Sequence, residues 1–390
     1  MSFVTVRCWP QTHYAQIKAK VNKVHLAEME IKMFKYPIID SHIHMYSEAD
    51  LEAIETAARE GGYSKYTLLS GSLFPQRAPG NLSVAWAKLK HPGKVYGYAT
   101  FHMQLEGTPD GEDLLKQAKE YHAIGFDGIK MLDGKPSLRK ERVPIDNACY
   151  DPLFSYLEEN QIPVLYHSND PIEFWDIEKI PEWAKDIYYY DWKEPSKDQI
   201  TKETAGILKK HPDLNLTVAH FFFLPNTDEY DLACELMETY PNFCMDLTPG
   251  WEMFQDIHRM EKEWKSYIKK YSDRLMYGTD IGGVGNNLEE RIKPLRRVFE
   301  TDDVFPLQDY TCYGLDLDDT TLKNIYAQTY RTRIQKNDPA GIDVERLAAY
   351  KKELGGRIEA YKKIDKTRAI QDMERFWELI KETKGGNGNV

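Results

Sequence analysis

Apolar residues recur along this chain in two alternating rhythms. Short runs rich in β-branched and aromatic residues read as buried strands over 38–44, 66–71, 95–102, 128–132, 163–167, 214–220, 243–247 and 274–280. Between them, apolar positions fall at helical spacing over 47–58, 81–90, 113–123, 147–160, 228–239 and 251–271. Ser47 with Asp50 has the pattern of a capping box at the start of the first helix. Gly61-Gly62 and Gly125 read as helix stops. One strand–helix unit recurs every ~30 residues, as βα units require. Eight such units predict a (β/α)8 TIM barrel, an α/β fold, rather than an open doubly wound sheet. No Gly-x-Gly-x-x-Gly follows the first strand, which removes support for a dinucleotide fold.

Two additions break the repeat. Residues 171–197, after the fifth strand, carry Trp175, Trp183, Tyr188, Tyr189, Tyr190 and Trp192, and predict an aromatic-rich insertion on the face where βα loops build active sites. Its functional reading is a lid or substrate wall; the plainer reading is an aromatic core that holds a long loop in place. Beyond the barrel, Lys, Glu, Tyr and Ala predominate, which predicts added C-terminal helices. The expected division is an N-terminal extension (1–35), the barrel (36–335), C-terminal helices (336–383) and a disordered tail (384–390).

Composition narrows the function. The 390 residues carry a net charge of −11, which disfavours nucleic acid as a partner. No apolar run is long enough to span a membrane and no secretory signal is evident. The five cysteines form no Cys-x-x-Cys pair, which fits a reducing cytoplasm and argues against a thiolate metal site. The expected partner is a small-molecule substrate, and the outer helices could support a homo-oligomer.

Candidate chemistry gathers at the strand ends. In Ile38-Ile39-Asp40-Ser41-His42-Ile43-His44, the two histidines are two apart, so on a strand they face the same side. Such a pair is half of a metal site, or simply two polar residues closing a strand. Lys130, His167, His220 and Asp280 fall at the equivalent place on strands four, five, six and eight. Barrel strands converge at their C-terminal ends, so these residues become neighbours. Histidine and carboxylate ligands suit Zn2+, and also Mn, Fe or Co. Each histidine alone reads equally well as a buried ring bonded to a carbonyl. His102 and Asp246, ending strands three and seven, are further candidates for substrate contact, and Asp40 for an orienting role.

Ile39-Asp40-Ser41-His42-Ile43-His44, Gly125-Phe126-Asp127-Gly128-Ile129-Lys130, Val218-Ala219-His220 and Tyr277-Gly278-Thr279-Asp280 resemble the amidohydrolase superfamily, in its amidohydrolase-2 branch. The segment Leu322–Arg331 is similar to that branch's closing helix, with Thr329 where Asn is usual. After Lys130 the branch often continues Leu-His-Pro, whereas this chain has Met131-Leu132-Asp133. The resemblance implies a divalent metal held by His42, His44, His167 and Asp280, with zinc first and Mn, Fe or Co as alternatives. It implies hydrolysis of an amide, lactone or ester by metal-activated water. Asp280 would shuttle the proton, His220 would stabilise the oxyanion, and Lys130 would pair with a substrate carboxylate or, as a carbamate, bridge a second metal. The alternative within the branch is non-oxidative decarboxylation of an aromatic or other carboxylic acid. A barrel without activity, acting as a binding module, is the reading from a different class.

Overall fold

The computed structural model describes residues 35–386 except 72–78, 104–106, 192, 228, 309 and 362–365. The expected N-terminal extension, apart from Lys35, and Trp192 of the insertion therefore lie outside the described residues. Strands β1 (Ile38–His44), β2 (Tyr63–Leu69), β3 (Val95–Ala99), β4 (Gly128–Gly134), β5 (Val164–Ser168), β6 (Leu216–Val218), β7 (Phe243–Asp246) and β8 (Leu275–Met276) pair in chain order, all parallel. A two-residue strand, β9 (Ile281–Gly282), then pairs with β1. The eighth stave is thus one interrupted segment, with β8 on β7 and β9 on β1. Ser41 N–H donates to Tyr277 O (3.0 Å) and Asp280 N–H to His42 O (2.8 Å), which ties the interruption to β1 as well. The result is a TIM-barrel-like α/β fold.

Strands β3, β5, β6 and β7 are buried on both faces along their whole length, which explains their mostly apolar sequences. Inside the barrel, Ile39, Leu69, Tyr96, Tyr98, Leu165, Cys244 and Met276 meet Ala327, Tyr330 and Ile334. Those last three come from the helical segment following Asp319–Lys323, which closes the N-terminal mouth of the barrel. Thr329 is buried there and donates to Ser272 O at 2.7 Å, so the hydroxyl at the departing position has a structural partner. At the first helix, Asp50 accepts the N–H of Ser47 (2.7 Å), and Gly62 caps the other end at φ 73°, a backbone conformation that favours glycine.

The expected helix over 251–271 is two helices, Glu252–Arg259 and Glu261–Lys270, broken at Met260. An antiparallel hairpin, Val304–Leu307 with Tyr310–Tyr313, follows the barrel; its Asp and Pro content hid it in the sequence. Val344–Ala360 packs on Gly111–Ile124, and Thr367–Gly386 on Gly80–Lys90. The latter helix runs on through Lys384, where a disordered tail was expected; 387–390 lie outside the described residues. No helix among the described residues is long and apolar enough to cross a membrane.

Candidate metal centre

The C-terminal ends of the strands bring His42, His44 and Asp280 together, with one ligand atom from each within 4.8 Å of the others. His42 Nε2 lies 3.2 Å from His44 Nε2 and 3.5 Å from an Asp280 oxygen, which is 3.2 Å from His44 Nε2. Two ligands of a tetrahedral cation with bonds of ~2.05 Å stand roughly 3.3 Å apart. The three separations therefore fit a small divalent cation among these atoms.

The carboxylate next to His42 fixes which ring nitrogen is available. Asp246 accepts from His42 Nδ1 at 2.9 Å, which leaves the Nε2 lone pair pointed at His44 and Asp280. Asp246 also accepts the N–H of His220 (2.8 Å) and of Thr248 (3.2 Å). Burial works to raise its carboxyl, but His42, His220 and Thr248 together outweigh it and hold the group well below the usual range. Asp40 accepts from His42 N–H (2.9 Å) and Thr279 N–H (3.2 Å), tying β1 to the residue before Asp280. His44 Nδ1 is buried and has no hydrogen-bond partner among the described residues. Burial pushes the His44 imidazole down to about 4, so it is neutral, as a ligand must be. For Asp280, burial is again outweighed, by the bond from His44 and the nearby imidazoles, and the carboxyl is held well below its ordinary value. Asp280 adopts φ 53°, a left-handed conformation in a non-glycine residue at the break in the eighth stave.

His167 stands one ring further away. It lies outside the three-residue group; its ring packs at 4.8 Å on His220, whose ring is 5.3 Å from His42. Its Nε2 donates to Asp170 at 3.3 Å, which leaves Nδ1 as the acceptor nitrogen. Burial lowers its imidazole to about 4. His220 is set by a local distortion. His220, Phe221, Phe222 and Phe223 all take φ between 51° and 59°, a left-handed turn directly after β6. Such residues cost ~1–2 kcal/mol each. The three phenylalanines offset it by burial: Phe221 packs on Trp264 and Tyr267, Phe222 on Phe243, and Phe223 on His220. His220 Nδ1 donates to Thr248 O (3.3 Å), so the neutral ring presents an acceptor at Nε2. Burial takes its imidazole down to about 3. Oxyanion stabilisation, the role expected of His220, needs a donor there.

Lys130 Nζ is 3.4 Å from His42 Nε2, fully inside the barrel. Burial lowers its ammonium to about 8, against the pull of Asp246 and Asp280. The departing Asp133 pairs with buried Arg142. His102 is placed elsewhere: its Nε2 meets Tyr350 OH at 2.5 Å and its ring stacks on Tyr350, so it docks the Val344–Ala360 helix. The insertion builds its own core from Phe174, Trp175, Ile180, Ala184 and Tyr190. Asp170 and Thr248 were missed in the sequence. Asp170 had one available signal, a carboxylate in the first loop turn after a candidate ligand.

The amidohydrolase family model matches residues 39–313. Comparison with curated proteins finds no match. Among solved structures, the chain is similar to 4-oxalomesaconate hydratase from Rhodopseudomonas palustris, at 14% identity over 82% of this chain and 99% of that one, with a TM-score of 0.50. It is also similar to 5-carboxyvanillate decarboxylase from Novosphingobium aromaticivorans, solved with manganese and 4-hydroxy-3-methoxy-5-nitrobenzoic acid, at 15% identity over 77% and 96%, with a TM-score of 0.47. At 14% identity the likeness to the hydratase is one of fold.

Proposed function

The chain belongs to the amidohydrolase family, and from that premise we propose a metal-dependent hydrolase acting on an amide, lactone or ester of a small, carboxylate-bearing substrate. The observation that carries this reading is the convergence of His42, His44 and Asp280, with the buried Lys130 ammonium against His42. His42, His44 and Asp280 would hold a divalent cation, and His167 would join them through Nδ1. Zinc suits this donor set, and manganese, iron and cobalt are also compatible with it. Bound there, the cation supplies Lewis acidity and lowers the pKa of a water ligand towards neutrality.

The protein's own groups do the rest. Asp280 is ionised and its carboxylate stands against the ligand nitrogens of His42 and His44, so it can take a proton from the attacking water and return it to the leaving group. His220, neutral with Nε2 as acceptor, orients that water or takes its proton in turn. Lys130 remains largely a cation at neutral pH, and it supplies the donor that His220 lacks: its ammonium pairs with a substrate carboxylate or a developing oxyanion. Asp246 and Asp40 hold the β1 end in place.

Decarboxylation is the second reading. It keeps the same cation ligands, with a carboxylate of the substrate as the reacting group. The test is mass spectrometry of products from small acids carrying amide, lactone or ester groups, with metal-loaded and chelator-stripped protein. Hydrolysis adds one water; decarboxylation removes carbon dioxide. Equal conversion by loaded and stripped protein would overturn both readings.

A further inference from the structure

We infer that the aromatic insertion after β5 is a positioning device for His167, acting through the buried carboxylate of Asp170; the inference rests on the metal-centre reading above. Asn169, at φ 67°, turns the chain back after β5 and brings Asp170 under His167. Asp170 is 3% exposed and ties together three parts of the structure. From β5, His167 Nε2 donates to one of its oxygens at 3.3 Å. From the end of β4, Lys135 Nζ donates to both oxygens at 3.0 Å. From the insertion, the hydroxyl of Tyr190 donates to the second oxygen.

Tyr190 belongs to the insertion's core, with its ring 4.8 Å from that of Trp175. Lys135 is held from the same side, its ammonium 4.7 Å above the ring of Tyr188. Packing of the insertion therefore sets where Tyr190 and Lys135 point, and these two set the rotamer of Asp170. A neutral imidazole has one N–H. With an anionic oxygen 3.3 Å from Nε2, the proton stays on Nε2 and the lone pair on Nδ1. The opposite tautomer would face two lone pairs at each other. The insertion's aromatic core, which holds the loop in place, thereby gains a role at the site. It decides which nitrogen His167 offers.

The test uses the full chain with zinc alone as probe. Zinc affinity is measured by chelator competition, and the His167 tautomer of the metal-free protein by 15N chemical shifts. Asp170→Asn is expected to weaken zinc binding ~10–100-fold, the range for residues that orient a ligand from behind. Tyr190→Phe, which removes one hydroxyl and keeps the ring, is expected to weaken it about fivefold, a fraction of what a hydrogen bond to a carboxylate is worth, because Lys135 still holds Asp170. Both are expected to shift the His167 15N signals towards the Nδ1–H form. Unchanged zinc affinity and unchanged shifts in Tyr190→Phe overturn the inference, and this variant decides alone if Asp170→Asn does not fold. A parallel His42→Ala measurement keeps the two readings apart. Loss of zinc there, with none in the Asp170 and Tyr190 variants, sinks the positioning role only. Zinc retained in His42→Ala sinks the metal centre itself.

Discussion

Replacing Asp246 by Asn changes one atom and reverses one hydrogen bond. In the native protein one oxygen of Asp246 accepts two backbone N–H groups, from His220 (2.8 Å) and Thr248 (3.2 Å), and the other accepts from His42 Nδ1 (2.9 Å). The Asn side chain has one oxygen, which the two backbone donors retain. Its NH2 group then faces His42 Nδ1 and must donate to it. His42 is forced to carry its proton on Nε2, the nitrogen that lies 3.2 Å from His44 Nε2. A protonated ring nitrogen cannot bind a cation. Metal affinity is expected to fall ~10–100-fold, which is roughly 1.4–2.7 kcal/mol. The fold should lose less than the deletion of a charged hydrogen bond, ~1.5–3 kcal/mol, because the Asn oxygen still satisfies the backbone. Chelator competition gives the first quantity, and urea unfolding of metal-free protein the second. A variant that binds metal as tightly as the native chain would refute the assignment of Asp246 as the group that orients His42.

Two further outcomes test separate parts of the structure. Phe221→Ala removes a fully buried ring that packs on Trp264 and Tyr267 and helps offset the left-handed turn, so urea unfolding should show a loss of ~3–5 kcal/mol; a loss below about 1 kcal/mol would mean the turn does not depend on that ring. Burial, helped by Arg357 and opposed by Asp113 and Glu353, lowers the His102 imidazole to about 3, against an ordinary 6.5. The unfolded chain therefore takes up a proton between pH 6.5 and 3 that the folded chain refuses, and stability is lost as pH falls through that window. His102→Gln should flatten this part of the stability–pH curve, and an unchanged slope would show that His102 does not contribute to it.

The barrel was legible because its strands are buried on both sides, and continuous apolar runs such as Val164-Leu165-Tyr166 and Phe243-Cys244-Met245 survive as a pattern without tertiary information. His42 and His44 were legible for a related reason: a two-residue period fixes their common face. Asp280 was placed by its strand, although the strand itself breaks at Tyr277–Asp280, and nothing in Gly278-Thr279-Asp280 marks the left-handed residue. The turn at His220–Phe223 was hidden more deeply. Four non-glycine residues at positive φ contradict local preference, and only the aromatic partners contributed by Phe243, Trp264 and Tyr267 make the conformation stable. The hydrogen bonds that select ring nitrogens were also out of reach. Asp246 meets His42 across 204 positions of sequence, a distance no local pattern encodes. His102 stood at a strand end like the others, yet the Val344–Ala360 helix claims it through Tyr350, because that helix packs on Gly111–Ile124 outside the barrel.

The most direct measurement is an anomalous difference map from crystals of the full chain grown with excess zinc or manganese. One peak is expected among His42 Nε2, His44 Nε2 and the Asp280 carboxylate, with His167 Nδ1 turned towards it and Asp246 still bonded to His42 Nδ1. A map with no peak there, or with its strong peak at a different cluster, would contradict the assignment of these residues as a metal centre.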